Sequence, residues 1–312
     1  MGCGADAQPV DRLAAVMRMT SFILKNIGHP EYSSKKSKRT FSDHAKIGLL
    51  VIRQLMRKSY EDFTDMLPSL TGVLGEAGIS KIPDPSTLWK FASRLEPEFL
   101  EDVMQEIART VCSDDMVVAV DSTGFSLTNV SRHMEKRVKE FGTEEKRKRD
   151  FVKTTYSVDT RTKMILSCDC TDQHTHDVKR MGCAVSSLVR GGFSIRCVVA
   201  DKGYDSEHVH VDIRERLSAE AFIPIRKNDP ARTGSQRTRT RGFNRGRMKF
   251  FFDKEVYNLR SLVETVNSMV KRKMGDTVNS RTKLTSNVEV LLRSIAHNFR
   301  RLFELRPGSM EV

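Results

Sequence analysis

Two aspartates share a sequence context that can bring carboxylates together. Asp121 follows the apolar run 116–120, and Asp201 follows the apolar run 195–200. Both runs are short and rich in β-branched residues, which predicts two buried strands. If these strands are parallel neighbours, the two acids meet at one sheet edge, where a hard cation such as Mg²⁺ or Mn²⁺ relieves their repulsion. Either aspartate alone is more simply interpreted as a turn former or helix cap, so the hypothesis depends on the pair.

A third carboxylate lies on a helix predicted over residues 255–274. One face of this helix carries a polar stripe made of Tyr257, Arg260, Glu264 and Lys271. At about 100° per residue these side chains fall within roughly 60°. A surface face held by salt bridges is the main alternative. The functional interpretation makes Glu264 a third metal ligand, with Arg260 and Lys271 on nucleic-acid phosphates and Tyr257 stacking or hydrogen bonding nearby.

The positive charge of the chain is concentrated in two segments. The 312 residues carry 53 Lys and Arg against 40 Asp and Glu, a net charge of +13 that predicts a polyanionic partner. Residues 226–249 hold nine Lys or Arg and one acid, and residues 35–39 hold four Lys or Arg. A solvated flexible loop is the simpler interpretation of 226–249, but a loop that tracks phosphates is favoured. The arginines predicted to contact DNA there are Arg237, Arg239, Arg241, Arg245 and Arg247.

Several protein classes are excluded by composition. No apolar run approaches the roughly 20 residues that a membrane-spanning helix needs, and no export signal precedes the first helix. The six cysteines show no framework of paired spacings, which predicts free thiols in a reducing, cytoplasmic compartment. The phosphate-binding pattern G-x4-G-K-[ST] is also absent from the sequence.

The chain divides into two regions of different periodicity. Residues 1–114 predict an all-helical N-terminal domain that binds DNA ends or mediates oligomerisation. Residues 115–305 predict strands and helices in the order β-β-β-α-β-α-β-α, which is typical of a mixed sheet flanked by helices, and 306–312 form a short tail. Within the first region, the helices over 42–66 fit either a helix-turn-helix or a plain packing role.

A second group of possible metal ligands lies between two predicted elements. Cys168, Cys170, His174 and His176 fall within nine residues. Zinc is one interpretation, but the pattern C-x2-C is missing, and strand-end cysteines followed by a polar loop explain the group better.

The residues above resemble a known family, the DDE transposases of prokaryotic insertion sequences. The helix reads Tyr257-x2-Arg260-x3-Glu264-x6-Lys271, a full match to the signature of the insertion-sequence-five-like group. The segments 120–123 and 200–206 resemble the blocks around the first and second acids of that family, and 83–89 resembles its N-terminal helical segment. The resemblance spans about residues 40 to 305.

This resemblance implies a ribonuclease-H-like α/β core, a mixed five-stranded sheet flanked by helices. It implies that Asp121, Asp201 and Glu264 hold two Mg²⁺ or Mn²⁺ ions and support DNA nicking at the element ends, followed by strand transfer. The implied partners are the terminal inverted repeats and target DNA, bound by a homodimer in the nucleoid. His176 also resembles a family position near the active site, and the route of second-strand release stays open.

Two other functional classes compete with an active transposase. A DNA-binding protein of transposase descent needs no cutting chemistry, and the intact set of three acids disfavours it. A structural or RNA-binding basic protein is disfavoured for the same reason.

Overall fold

The computed structural model describes residues 9–33, 38–128, 151–226 and 242–307. Within them the chain forms two compact units. One unit comprises the helical part up to Val111 together with Lys273–Gly275 and the chain from Val288 onwards. The other comprises Cys112–Arg272 and Asp276–Asn287. The predicted domain 115–305 therefore differs from this division at its C-terminal end, because the last helix belongs mostly with the N-terminal helices.

The first unit is built from amphipathic helices around an aliphatic core. Its helices are α1 (Pro9–Asn26), α2 (Asp43–Met56), α3 (Tyr60–Met66), α4 (Thr71–Ala77), α5 (Pro85–Ala92) and α6 (Pro97–Arg109). The helix α1 packs against α2, α4 and α6, and Ile23, Leu24 and Ile47 are fully buried between them. The helix α5 begins with a local cap, since the Asp84 carboxylate accepts a hydrogen bond from Ser86 N at 2.8 Å and Pro85 is the first helical residue.

The structure disfavours a recognition role for the helices over 42–66. The helix α2 is buried on nearly all of its residues, as expected for a core helix. The following helix α3 has seven residues, and Glu61 and Asp62 lie in its first turn. A recognition helix that presents carboxylates to a phosphate backbone is repelled by it. Packing is therefore the better interpretation of these two helices.

The second unit is a mixed sheet with helices. Its elements are β1 (Met116–Leu127), β2 (Phe151–Asp159), β3 (Ile165–Thr171), α7 (Asp177–Arg190), β4 (Ile195–Ala200), α8 (Glu207–Leu217), β5 (Glu220–Phe222), α9 (Phe243–Arg247), α10 (Lys254–Asn258), α11 (Ser261–Met274), β6 (Thr277–Val278) and α12 (Lys283–Leu305), the last of which continues into the first unit. The helix α7 packs against β2, β3 and α8, and α8 packs against β5.

The strand order of this sheet is β3-β2-β1-β4-β5, with β6 paired to the far end of β1. The pairs β3–β2 and β2–β1 are antiparallel, whereas β1–β4 and β4–β5 are parallel. Val118, Val120 and Val199 are fully buried, which explains why the two central strands read as continuous apolar runs. The predicted mixed sheet flanked by helices is confirmed, with β6 as a sixth strand beyond the five expected.

The strand β1 is longer than its apolar run. It continues from Asp121 to Leu127 because the antiparallel partner β2 pairs with it as far as Ser126 and Phe151. The buried ring of Phe125 lies in this extension. Asp121 therefore lies inside a strand and not just after one, a feature that the loss of apolar periodicity after residue 120 concealed.

The predicted helix over 255–274 is also divided. It forms α10 and α11, with Leu259 and Arg260 in a turn between them. The N–H groups of Leu262 and Val263 bond to carbonyls three residues earlier, at 3.0 and 3.2 Å, so the turn is tighter than an α-helix. The four polar residues predicted to form one straight stripe consequently belong to two helices and a turn.

Among the helices that the structure describes, none is long and apolar enough to cross a membrane.

Candidate metal-binding active site

The sheet register brings Asp121 and Asp201 to the same edge position. The last pair of the parallel ladder between β1 and β4 is Val120 with Ala200, so the next residues are Asp121, within β1, and Asp201, directly after β4. At this point β4 ends, and Asp201 precedes a short 3₁₀ helix, Lys202–Tyr204. The predicted juxtaposition of the two acids therefore follows from main-chain pairing.

The pKa of Asp121 indicates that several negative charges lie close together at this edge of the sheet. The pKa of Asp121 is raised to about 6. Burial is the largest cause of this rise, and the negative charges of Glu264 and Asp201 also contribute to it. The Ser122 N–H and the positive charge of Arg260 oppose this shift in pKa. Since the charges of Glu264 and Asp201 both act on Asp121, the three predicted acids lie in one region of the second unit.

A network of hydroxyl groups connects the chain after Asp121 to the chain after Asp201. Ser122 Oγ lies 2.8 Å from the Tyr204 hydroxyl and 2.9 Å from Thr155 Oγ1 of β2. Tyr204 is almost completely buried, and this burial raises the pKa of its phenol. Because a buried hydroxyl needs a partner, the network holds β1, β2 and the loop after β4 in register beside the carboxylates.

Glu264 is carried by a helix, whereas the two aspartates are positioned by the sheet. It lies in the first turn of α11 with 55 % of its side chain exposed, and Arg260 Nη1 contacts its Oε1 at 2.8 Å. The alternative of a surface salt bridge is therefore seen directly in this structure. The same arginine also feels the charge of Asp201, so the ion pair lies beside the two aspartates and not on a remote helix face.

Asn267 is a site residue that the sequence patterns missed. It lies three residues after Glu264 on α11, it is 7 % exposed, and its Nδ2 is 3.5 Å from Asp121 Oδ2. Its Oδ1 is buried and makes no hydrogen bond to any of the residues that the structure describes. A buried amide oxygen without a protein partner is available to a water molecule or a bound ligand. The i+3 spacing from Glu264 was the available signal.

A further carboxylate lies beside Asp201. A Cβ placed on Gly203 would lie 3.8 Å from Asp201 Oδ2 and 3.9 Å from Asp177 Oδ2, so both carboxylates face this glycine. Asp177 begins α7, and its Oδ1 is 2.7 Å from Lys153 Nζ. The sequence patterns pointed to the adjacent His176, whereas the contacts in the structure single out Asp177.

The remaining residues of the polar stripe border the site. Lys271 Nζ lies over the ring of Phe125 at 5.5 Å from its centroid, and burial lowers the pKa of this lysine. The ring of Tyr257 packs against Phe252, with 5.2 Å between centroids. Both side chains are only partly exposed. Their predicted contacts with nucleic acid stay predictions.

The basic segment 226–249 contains arginines with structural roles. Arg245 is 8 % exposed and pairs with the buried carboxylate of Asp205 through two of its nitrogens. Arg226 donates to Asp205 Oδ2 through its main-chain N at 2.8 Å, and through its side chain to the carbonyls of Lys202 and Gly203. The structure does not favour the predicted phosphate contact of Arg245, because its charge is already neutralised inside the protein.

Arg247 differs from Arg245. Its side chain is 31 % exposed and lies 3.7 Å from Glu220 Oε1, with its guanidinium 5.6 Å from the centre of the Phe251 ring. It therefore still presents polar surface. The predicted DNA contacts at Arg237, Arg239 and Arg241 lie outside the described residues, as do residues 35–37 of the other basic segment.

The oxygen-rich composition of this site fits a hard divalent cation. It combines the carboxylates of Asp121, Asp201 and Glu264 with the unpartnered Oδ1 of Asn267, and Mg²⁺ and Mn²⁺ prefer such ligands. The geometry of the structure is not that of a complete ligand set. Within the described ranges, no three His, Cys, Asp or Glu side chains are arranged to hold a metal ion. Glu264 instead forms an ion pair with Arg260.

The cysteine and histidine group does not form a second metal site in the described part of the chain. Cys168 and Cys170 project on one side of β3, with 4.0 Å between their sulfur atoms. His174 Nε2 is 3.3 Å from Gln173 Nε2. The interpretation of this group as strand-end cysteines followed by a polar loop stays a prediction.

With this fold and acidic edge in view, the class of protein is defined by comparison with known families. Residues 113–299 match the family described as Transposase DDE domain, and the match covers more than half of the chain. The chain belongs to this family. Membership supports an enzyme of the transposase type and a dependence on divalent metal ions, as families of this kind generally show.

Two individual proteins resemble this chain over most of its length. A protein of Aquifex aeolicus (strain VF5), described as uncharacterized, is 23% identical over 291 residues, which cover 91% of this chain and 84% of the relative. A cryo-EM structure of the piggyBac transposase synaptic complex with hairpin DNA aligns with 97% of this chain and 80% of that chain. That alignment has 10% sequence identity and a TM-score of 0.42.

Proposed function

We propose that this protein is an active transposase that nicks DNA at the ends of an insertion sequence and joins those ends to target DNA. The single observation that carries the proposal is the β1–β4 register, which brings Asp121 and Asp201 together at one edge of the sheet. The charge of Glu264 also acts on Asp121 there. Proteins seldom gather three carboxylates around a partly buried position unless a cation or a proton relieves the repulsion.

The three acids have distinct supports and therefore distinct tasks. Asp121 and Asp201 are fixed by the β1–β4 ladder, so they provide a rigid base for two Mg²⁺ or Mn²⁺ ions. Glu264 would be the third ligand once separated from Arg260, and Arg260 would then be able to contact a DNA phosphate. Asn267 contacts Asp121 through its Nδ2, and its buried Oδ1 has no partner among the described residues, so we assign Asn267 to the same site.

When bound, the two divalent ions activate the attacking water or 3′-hydroxyl and stabilise the leaving oxygen of the phosphodiester. This chemistry needs no covalent protein–DNA intermediate, so Tyr257 is assigned to binding and not to nucleophilic attack. Lys271, with its lowered pKa, lies at the border of the site as a further phosphate contact.

The finer assignments of the proposal rest on the Tyr257-x2-Arg260-x3-Glu264-x6-Lys271 signature. On this basis we propose that the protein is a member of the insertion-sequence-five-like group, that it acts on double-stranded terminal inverted repeats and that it acts as a homodimer. A prokaryotic cytoplasm, in contact with the nucleoid, is the proposed location. The helical N-terminal region is proposed to bind DNA ends or to mediate oligomerisation.

A nicking assay tests the proposal directly. The full chain is incubated with a supercoiled plasmid that carries the inverted repeats flanking its own coding region, with Mg²⁺, Mn²⁺ or EDTA. We expect metal-dependent conversion to nicked and linear DNA, and loss of this conversion in Asp201→Ala. The control is Glu215→Ala, which removes an exposed carboxylate of α8 in the same unit. Equal nicking by Asp201→Ala and the parent protein rules out the proposed site.

A transposase-derived DNA-binding protein without cutting activity is the second candidate. It is supported by the Arg260–Glu264 ion pair and by the lack of a preformed metal cluster within the described ranges. The two candidates differ in the same assay. The second predicts that the plasmid ends are bound in a mobility-shift experiment but stay intact at every metal concentration.

A further inference from the structure

Three exposed phenylalanines lie within nine residues of the second unit. The exposed fractions are 79% for Phe243, 82% for Phe250 and 65% for Phe251. Every other exposed large apolar side chain in the described part of the chain is less exposed, the next being Trp89 at 51%. Three strongly exposed rings within nine residues of sequence require an explanation, whereas single exposed side chains do not. We refer to these three residues as the phenylalanine cluster.

The backbone under the phenylalanine cluster is firmly attached. The Glu207 carboxylate accepts hydrogen bonds from Asn244 N at 3.1 Å, Asn244 Nδ2 at 3.1 Å and Arg245 N at 2.8 Å. The buried ion pair of Arg245 with Asp205 adds a second attachment, and the Met248 side chain is 6% exposed. The exposed rings therefore stand on an ordered support, which is what a stacking surface needs to limit the entropy lost on binding.

The charges around the cluster indicate the chemistry of the partner. The guanidinium of Arg247 lies over one face of Phe251, and Lys249 is an exposed residue next to Phe250. A purely apolar protein partner has no complement for these cations. Unpaired nucleic-acid bases do, because each base offers a π face to a ring and a phosphate to a cation.

The cluster is also close in sequence to the residues of the proposed cutting site. Phe252, which directly follows the cluster, packs against Tyr257, and Tyr257 lies three residues before Arg260. The cluster is therefore connected along the chain, through the Phe252–Tyr257 contact, to the turn that contains Arg260.

We propose that the phenylalanine cluster is a stacking surface for unpaired bases of a DNA strand, with Phe250 and Phe251 as the principal rings. The proposal rests on the proposed function in one respect, namely that DNA is the bound polymer. It adds a site for single-stranded DNA outside the carboxylates and outside the Tyr257, Arg260 and Lys271 contacts.

The test measures binding of two labelled DNA probes by fluorescence anisotropy in EDTA. One probe is an oligothymidylate of about twenty nucleotides, and the other is a blunt duplex of equal length. Since stacking on one ring contributes about tenfold per base, the double variant Phe250→Ala/Phe251→Ala is expected to weaken oligothymidylate binding by about 10- to 100-fold and duplex binding by less than about 3-fold. Phe22→Ala, which removes an exposed ring of α1, is the matched control.

A second variant separates stacking from apolar contact. Phe250→Leu/Phe251→Leu keeps apolar side chains but removes the π faces, so it is expected to bind the oligothymidylate as weakly as the alanine variant. Parental affinity in the leucine variant overturns the proposal, as does equal loss on both probes. Sedimentation of the parent as a dimer and of the alanine variant as a monomer, with unchanged DNA affinity, also overturns it and assigns the cluster to a second copy of the chain.

The readout keeps this inference separate from the proposed function. If the parent protein binds neither probe, the proposed function itself fails. If the parent binds the duplex and nicks its plasmid but the variants behave like the parent, only the stacking surface is wrong.

Discussion

The two sides of the candidate site are held by different forces. On the sheet side, Asp121 is positioned by main-chain pairing with β2 and by the register of β1 against β4. On the helix side, Glu264 is half exposed and is positioned by its ion pair with Arg260. A ladder of main-chain bonds is cooperative and costly to break, whereas an exposed ion pair contributes about 0.2–1 kcal/mol. The sheet side is therefore fixed and the helix side is adjustable.

This difference explains how a site can be present in the fold without a complete metal cluster in the structure. The register of the sheet brings the carboxylates of Asp121 and Asp201 to the same edge, where their negative charges repel each other. On the helix side, Arg260 neutralises Glu264, and under the proposed function a bound cation would replace Arg260 as its partner. In this arrangement the repulsion between carboxylates contributes to the raised pKa of Asp121, while the charge of Glu264 is neutralised by Arg260.

The largest effect is expected from Asp121→Asn on the rigid side. Loss of a metal ligand fixed by the sheet removes transition-state stabilisation, so plasmid nicking should fall by about 10³-fold or more. The same change removes a buried carboxylate, so the free energy of unfolding in EDTA at neutral pH should rise by about 1–2 kcal/mol. Nicking assays and urea titrations measure the two effects. A variant that loses activity and stability together contradicts the assignment.

The next effect is the pH dependence that the pKa of Asp121 produces. A carboxylate binds a cation only when ionised, so nicking should fall about tenfold per pH unit below the pKa of about 6. Stability should move in the opposite direction. Between the ordinary pKa of 3.8 and about 6 the folded state binds the extra proton, so the free energy of unfolding in EDTA decreases as pH rises through this window.

The control for this pH effect is the Asp121→Asn variant. Its free energy of unfolding should lack the decrease between pH 4 and 6, since the titrating group is gone. An unchanged stability profile in this variant assigns the titration to another group.

A smaller effect is expected from Arg260→Gln on the adjustable side. Removal of an exposed ion pair should change the free energy of unfolding by less than about 1 kcal/mol. Nicking should fall by about tenfold through loss of a phosphate contact, while calorimetry should show tighter Mn²⁺ binding, because Glu264 no longer has a competing cation. Arg272→Gln, on an exposed position of the same helix, is the control. Weaker Mn²⁺ binding in Arg260→Gln speaks against an adjustable side.

The smallest effect on activity is expected from Tyr204→Phe, which removes one hydroxyl of the network behind the rigid side. The lost hydrogen bond to Ser122 should lower the free energy of unfolding by about 1–2 kcal/mol. Nicking should slow by only about threefold, because the sheet ladder still positions both aspartates. Tyr32→Phe, whose hydroxyl bonds to the exposed carbonyl of Arg39, is the control and should change neither quantity measurably.

Much of the fold was predictable from local patterns. The central strands β1 and β4 were visible as short apolar runs because both of their faces are buried. The start of α5 was visible because Asp84 and Pro85 are a capping pair with a local mechanism. The extension of β1 past Asp121 was not visible, because its polar residues are held by pairing with β2, a partner distant in sequence.

The candidate site was predictable in part for the same reason. Asp121, Asp201 and Glu264 were found from strand ends and helix spacing, which are local features. Asn267 was missed because its only sequence signal, the i+3 spacing from Glu264, is shared by many helical residues, and the burial of its oxygen is seen only in the structure.

By itself, the sequence determined which residue types are available, where the apolar runs lie and how much positive charge surrounds the acids. Only the tertiary structure decided which of these charges are free to act. Arg245 and Arg226 belong to one basic segment, yet both stabilise the loop after Asp201. The guanidinium of Arg245 pairs with a buried carboxylate, and that of Arg226 donates to main-chain carbonyls. Charge is counted along the chain, but its neutralisation depends on neighbours in space, and those are set by packing.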